Sequence, residues 1–173
     1  ALRPNTRYSY KVFSKEIIKF EPYKKEFGPT IESDVYSFTT PGAGQKEMSM
    51  LILNDIHDRP HSFGELEKLN AGDPYDFVFL NGDMFDHQDS EQQLVDHLIQ
   101  PCCDVFASQK PFLFVRGNHE TRGAFSYQLD NYFENIGKSP YFSFSRGPVF
   151  FVALDTGEDK EDDHEHYCGL AAF

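Results

Sequence analysis

The chain has 173 residues, 39% hydrophobic and 16% aromatic with 18 Phe and 9 Tyr, enough for one full globular core and part of a second. That composition excludes a disordered tail. No stretch approaches the ~18 consecutive apolar residues of a membrane span, and the first residues lack the basic-then-apolar pattern of a signal peptide. With 16 Lys+Arg against 28 Asp+Glu, the net charge of −12 has the wrong sign for gripping nucleic-acid phosphates through a basic surface, so any phosphate chemistry must bring positive charge from elsewhere.

The charge is unevenly divided. Residues 1–46 carry 8 basic and 5 acidic side chains, whereas residues 47–173 carry 8 and 23. The composition changes near Pro41-Gly42-Ala43-Gly44, which predicts two domains, 1–44 and 45–173. Cys102, Cys103 and Cys168 do not make an even disulfide framework and are read as buried or free thiols.

In chain order, Leu2, Pro4, Thr6, Tyr8, Tyr10 and Val12 alternate with polar residues at the period of a half-buried strand, and Val35 to Thr40 repeats that rhythm up to Pro41. The Lys/Glu-rich stretch between them, with Pro22 and Gly28-Pro29 as turn signals, predicts a wide hairpin. Two strands alone are marginal in water, so this segment reads as the last strands of a β-sandwich. Leu2-Arg3-Pro4-Asn5-Thr6-Arg7-Tyr8 resembles the L-x-P-x-T-x-Y opening of the next-to-last strand of fibronectin type III-like domains, where the Tyr forms a tyrosine corner.

From residue 48 the rhythm switches. Met48 to Leu53, Phe77 to Leu80, Phe112 to Val115 and Val149 to Leu154 are short apolar runs that predict strands, and those centred on 79 and 113 lack polar alternation, as strands covered on both faces do. Helical stripes lie between them: Phe63, Leu66 and Leu69; then Leu94, Val95, Leu98 and Ile99, cut by Pro101; then Phe125, Leu129, Tyr132 and Phe133. Strands alternating with helices predict an α/β fold on a mostly parallel sheet. Tyr141 to Leu154, broken at Arg146-Gly147-Pro148, predicts an antiparallel hairpin.

Each early strand ends in polar residues: Asn54-Asp55-Ile56-His57, Asn81-Gly82-Asp83-Met84-Phe85-Asp86, and Arg116-Gly117-Asn118-His119-Glu120. The carboxyl ends of parallel strands lie along one edge, so these clusters should converge. Asp55, His57, Asp83 and Asn118 offer carboxylate, imidazole and amide oxygen without thiolate, a set that suits Mn, Fe or Zn better than Mg or Ca. Packed carboxylates without counter-charge repel one another, and cations relieve that repulsion. Two metals about 3.5–4 Å apart could activate a water and clamp phosphoryl oxygens, which is the positive charge the surface lacks.

The order D-x-H, GD-x-x-D, GNHE resembles the calcineurin-like metallophosphoesterases over residues 48–173. The resemblance implies a layered α/β sheet, here incomplete, that hydrolyses phosphate esters with two divalent or trivalent transition metals. It implies Asp55 and His57 on the first metal, Asp83 bridging both, and Asn118 on the second. It further implies His119 as a nearby acid that binds no metal, with Asp86 as its orienting partner. Arg116 is read as a salt bridge at a strand end rather than a phosphate contact.

Two departures stand out. The family's later lone His and GH-x-H are absent, so the chain reads as a piece cut at both ends. His164-Glu165-His166 lies in an acid-rich stretch with no preceding strand and is read as a solvated loop. His61, His87 and His97 are likewise read as surface residues. A fibronectin-like domain ahead of such an enzyme is similar to purple acid phosphatases, whose motifs are D-x-G and GD-x-x-Y. Here those positions hold His57 and Asp86, which implies a phosphoesterase without the purple chromophore. The domain order implies export. A binding or adhesion module on a non-catalytic phosphoesterase fold is the alternative, and a structural metal site is disfavoured because such sites favour thiolates.

Overall fold

The structure is a computed structural model that describes residues 1–133 and 139–157. The chain separates into two compact units, Ala1–Ala43 and Gly44–Phe173.

In the first unit, β1 (Arg7–Tyr10) pairs antiparallel with β4 (Tyr36–Thr39), and Tyr8 stacks on Phe38 at 5.8 Å between ring centroids. The Tyr8 hydroxyl accepts from the Arg3 amide at 2.8 Å, tying the approach to β1 onto its first aromatic residue. The Lys/Glu-rich stretch is not a loose connection. It forms β2 (Phe13–Glu21) and β3 (Lys24–Glu32), an antiparallel ladder turning at Pro22-Tyr23, with Gly28-Pro29 inside β3 rather than at a turn. Opposite charges face each other across it, Lys19 with Glu26 and Glu21 with Lys24, a pairing the turn signals concealed.

In the second unit, β5 (Met50–Leu53), β6 (Phe77–Asn81) and β7 (Phe112–Val115) form a parallel sheet in that order. Alternate strand residues point to opposite faces. Leu53, Val78, Leu80 and Phe114 meet Phe63, Leu94, Leu98 and Phe106 in the main core, whereas Val115 and Phe79 meet Phe142 and Ala153. Helices therefore cover one face, and the hairpin of β8 (Phe142–Arg146) and β9 (Val149–Ala153) contributes the cluster on the other.

Helix α1 (His61–Leu69) carries the first apolar stripe. The second stripe is not cut at Pro101. Helix Glu91–Leu94 runs on through π-turns Val95–Ile99, an α-turn Gln100–Cys102 and π-turns Cys103–Ala107. Pro101 has no amide to donate and its ring crowds the carbonyl four residues back; the widened turns on either side accommodate that without ending the rod. The third stripe folds as a 3₁₀ helix, Ser126–Asn131, rather than an α-helix. Phe125 preceding it donates to the Gln88 carbonyl at 2.8 Å, which fixes the start of the segment to a neighbouring loop. Within the described residues no helix is long and apolar enough to cross a membrane. The stretch containing His164, His166 and Cys168 lies outside the described residues.

Candidate metal centre

Three loops leave the carboxyl ends of β5, β6 and β7, and their main chains lace together. The amides of Asp55, His57 and Asp58 donate to the carbonyls of Gly82, Asp83 and Met84 at 3.2, 3.0 and 3.0 Å. This lacing needs unusual backbone. Asp55, His57, Asp58 and Asp83 all have positive φ, between 49° and 57°, a left-handed conformation costing of order 1 kcal/mol each for residues with a Cβ. The buried Ile56 side chain pins the first loop between its two polar neighbours.

Gly82 and Gly117 let the second and third loops touch. A Cβ on Gly82, where φ is +81°, would stand 2.7 Å from the Gly117 Cα, and one on Gly117 would stand 2.2 Å from Asp83 Oδ1. Glu120 fixes the same junction from beneath. Its fully buried carboxylate accepts from the amides of Asp83 (2.8 Å), Met84 (2.7 Å), Phe85 (3.3 Å) and Gly117 (2.6 Å). Burial, with the charge of Asp83 adding to it, pushes this carboxyl above its ordinary range against the pull of the amides.

Above this base, one ligand atom each from His57, Asp83 and His119 lie within 4.8 Å of one another. The His57 and His119 rings meet edge to face at 4.6 Å between centroids. His57 Nδ1 is 2.8 Å from Asp86 Oδ1. A carboxylate only accepts, so His57 carries its proton on Nδ1 and turns the Nε2 lone pair away, toward Asp55 Oδ1 at 3.6 Å. Two imidazoles and a carboxylate without thiolate form a donor set that fits Mn, Fe or Zn.

The structure thus brings together His57, Asp83 and His119, with Asp55 and Asp86 around them. Asp55 is largely exposed and its carboxylate also meets the Asn54 amide. Asn118 caps the 3₁₀ turn His119–Thr121, its carbonyl accepting from the Thr121 hydroxyl at 2.7 Å. The Asp86 carboxylate contacts His57, not His119; what it offers His119 Nδ1 is its main-chain carbonyl, at 3.0 Å. One ring nitrogen of His119 lies within 4.8 Å of the facing atoms of His57 and Asp83, and its amide donates to Asp83 Oδ1 at 3.2 Å. Arg116 pairs with Asp155 at 2.5 Å, as its position at a strand end suggested.

Sequence reasoning gave four of these residues no place in the site. Glu120 closes the GNHE motif, and its four amide partners explain why an acid stands there. Arg122, one 3₁₀ turn beyond His119, places Nη1 3.1 Å from both nitrogens of that ring. Asp58 and His97 are joined at 2.8 Å, and Asp58 Oδ2 accepts from the Asp86 amide at 2.7 Å. Burial works to raise the Asp58 carboxyl, but its bonds from His97, the Asp86 amide and Gln93 outweigh it and hold it below its ordinary value. No periodic signal marks Asp58 or His97, since the helix position of His97 reads as plain surface.

The sequence model of the family described as calcineurin-like phosphoesterase matches residues 48–167. "Probable purple acid phosphatase 20" of Arabidopsis thaliana is 28% identical over 98% of this chain and 38% of its own length. Among solved structures, a purple acid phosphatase from yellow lupin (Lupinus luteus) seeds superposes with a TM-score of 0.62 at 20% identity, over 92% of this chain and 32% of that one, a likeness of fold. The chain therefore spans well under half the length of either relative. The family match covers the parallel sheet together with the three loops at its carboxyl edge, and the chain belongs to the calcineurin-like phosphoesterase family.

Proposed function

We propose that this chain carries the metal ligands of a phosphate-ester hydrolase, with a centre of two transition metals drawn from Mn, Fe and Zn. The observation that carries this reading is the convergence of His57, Asp83 and His119 at the ends of strands that begin at residues 50, 77 and 112. Asp55 and His57 would hold one metal, Asp83 would bridge, and Asn118 would reach the second. Metals held there would supply Lewis acidity toward phosphoryl oxygens and an acidified water.

The chain's own residues do the rest. Asp86 keeps the His57 proton on Nδ1 and so presents Nε2 to the metal. His119 keeps its Nδ1 proton on the Asp86 carbonyl, so a second proton taken at Nε2 is the one available to a departing alkoxide. Arg122, beside that ring, adds the fixed positive charge that an anionic ester requires in a chain of net charge −12. With His57 and Asp86 where the purple enzymes are expected to hold Gly and Tyr, the centre lacks the phenolate that would colour it. The segment 1–44 serves as a fibronectin-like companion domain, a reading supported by the bond between Tyr8 and the Arg3 amide, and such a pairing fits an exported protein.

Calorimetric titration with Mn²⁺ and Zn²⁺, beside hydrolysis of aryl phosphate mono- and diesters, tests this reading. Asp83→Asn should weaken metal binding at least about tenfold, because an amide gives one neutral oxygen where a bridging carboxylate gives two charged ones. His119→Ala should keep the metal and slow hydrolysis. Unchanged affinity in Asp83→Asn removes Asp83 from the centre, and metal loss in His119→Ala makes that residue a ligand.

A further inference from the structure

We propose that Asp58 is a positioning residue for this centre: its carboxylate, held by His97 and Gln93 of the 91–107 rod, fixes the Asp86 main chain, and Asp86 in turn aims His57 and His119. The inference rests on the metal-centre reading and deepens it.

Asp86 is a junction with three used groups. Its carboxylate takes the His57 Nδ1 proton at 2.8 Å, its carbonyl faces His119 Nδ1 at 3.0 Å, and its amide donates to Asp58 Oδ2 at 2.7 Å. It lies in neither helix nor strand and is exposed, one residue beyond Phe85, whose side chain is buried in the main core. Phe85 anchors the chain before Asp86, and the bond from the Asp86 amide to Asp58 sets the peptide that carries both imidazole contacts.

Asp58 is itself gripped. Its own amide is tied to the Met84 carbonyl at 3.0 Å, with φ at +54°. Its Oδ1 accepts from His97 Nδ1 at 2.8 Å and from Gln93 Nε2 at 2.9 Å. Gln93 is fixed further, donating to the His87 carbonyl at 2.8 Å and accepting from the Asp89 amide at 3.0 Å. Both donors stand on a helical rod whose Leu94 and Leu98 are buried in the main core. A chain of short contacts thus runs from the packed helix through His97, Asp58 and Asp86 to the ring of His57. Groups that hold a metal ligand through its far nitrogen typically change metal affinity by about 10–100-fold when removed. A residue that merely anchors a loop would change stability and leave the affinity of the folded chain alone.

The test is Zn²⁺ titration calorimetry on the 173-residue chain and four variants, with thermal unfolding in chelator recorded for each. Asp58→Asn should bind Zn²⁺ about 10–100-fold more weakly. His97→Ala should weaken binding several-fold, whereas His97→Asn, whose amide N–H stands near where Nδ1–H stood, should restore it. His57→Ala reports on the centre itself. If His57→Ala weakens binding but His97→Ala and Asp58→Asn do not, the positioning role is overturned and the metal centre stands. If His57→Ala also leaves binding unchanged, the metal-centre reading falls and this inference falls with it. The His97 pair keeps the outcome readable should Asp58→Asn fold poorly.

Discussion

The β2–β3 ladder and the β5–β6–β7 sheet both carry bulky apolar side chains, yet they dispose of them in opposite ways. Phe13, Ile17, Ile18 and Phe20 of β2 are all exposed, while Phe77, Val78 and Leu80 of β6 are buried. Strand content is alike; layering is not. The parallel sheet has α1 and the 91–107 rod on one face and part of the β8–β9 hairpin on the other, whereas among the described residues β2 and β3 pair only with each other. The supported sheet is also where backbone strain collects. Of the six described residues other than glycine with positive φ, four, namely Asp55, His57, Asp58 and Asp83, lie in the loops at its carboxyl edge, and none lies in β2 or β3. Strained loops persist only where surrounding contacts over-determine them.

Removing that support should have the largest effect. In Glu120→Gln the side chain keeps its size, but one oxygen becomes an NH₂ group facing amides that already donate. At least two of the four amides of Asp83, Met84, Phe85 and Gly117 would then be buried without an acceptor. At about 1–3 kcal/mol for each such group, the loss should be about 2–6 kcal/mol in urea denaturation followed by near-UV circular dichroism. A loss below about 1 kcal/mol would mean that Glu120 does not carry the junction.

Matched glycine substitutions sharpen the contrast at intermediate size. Gly117→Ala puts a Cβ 2.2 Å from Asp83 Oδ1 and 2.8 Å from its amide, so the junction must open and the carboxylate must move. The expected cost is about 1–3 kcal/mol together with weaker Zn²⁺ binding. Gly28→Ala in β3 meets nothing nearer than Ile18 Cδ1 at 3.5 Å, an ordinary contact, and should be neutral or slightly stabilising. Equal costs at the two positions would erase the distinction between the regions.

How much of this was legible in the sequence follows the same divide. The apolar runs centred on 79 and 113 were visible because strands covered on both faces carry uninterrupted Val, Leu and Phe. D-x-H, GD-x-x-D and GNHE were visible because each directly follows an apolar run. The β2–β3 ladder was not, because its strands carry Lys and Glu on faces that nothing buries, and a half-polar exposed strand has the composition of a loop. Pro101 misled in the other direction: a proline usually ends a helix, and a π-turn that absorbs it has no sequence signature. Inside the site, residue types were readable while partners were not. That Asp86 would serve His57 through its carboxylate and His119 through its carbonyl depends on loop geometry, as does the link from His97 to Asp58. Neither is encoded by spacing.

The smallest expected effect belongs to the exposed ladder. Phe20 is 70% exposed, and its ring makes a cation–π contact with Lys25, whose ammonium lies 4.9 Å from the ring centre. Phe20→Ala removes little apolar burial, one exposed cation–π contact of about 0.5–1 kcal/mol and some strand propensity, so the total should stay near or below about 1 kcal/mol. A phenylalanine deleted from a packed core costs about 3–5 kcal/mol, which makes the two cases easy to tell apart. The measurement is urea denaturation at two protein concentrations tenfold apart. A core-sized loss that depends on concentration would show that the β2–β3 faces are covered in solution by another copy of the chain. A core-sized loss independent of concentration would show that they are covered within the monomer. Either result would replace the contrast between supported and unsupported strands with a different account of what holds the first unit together.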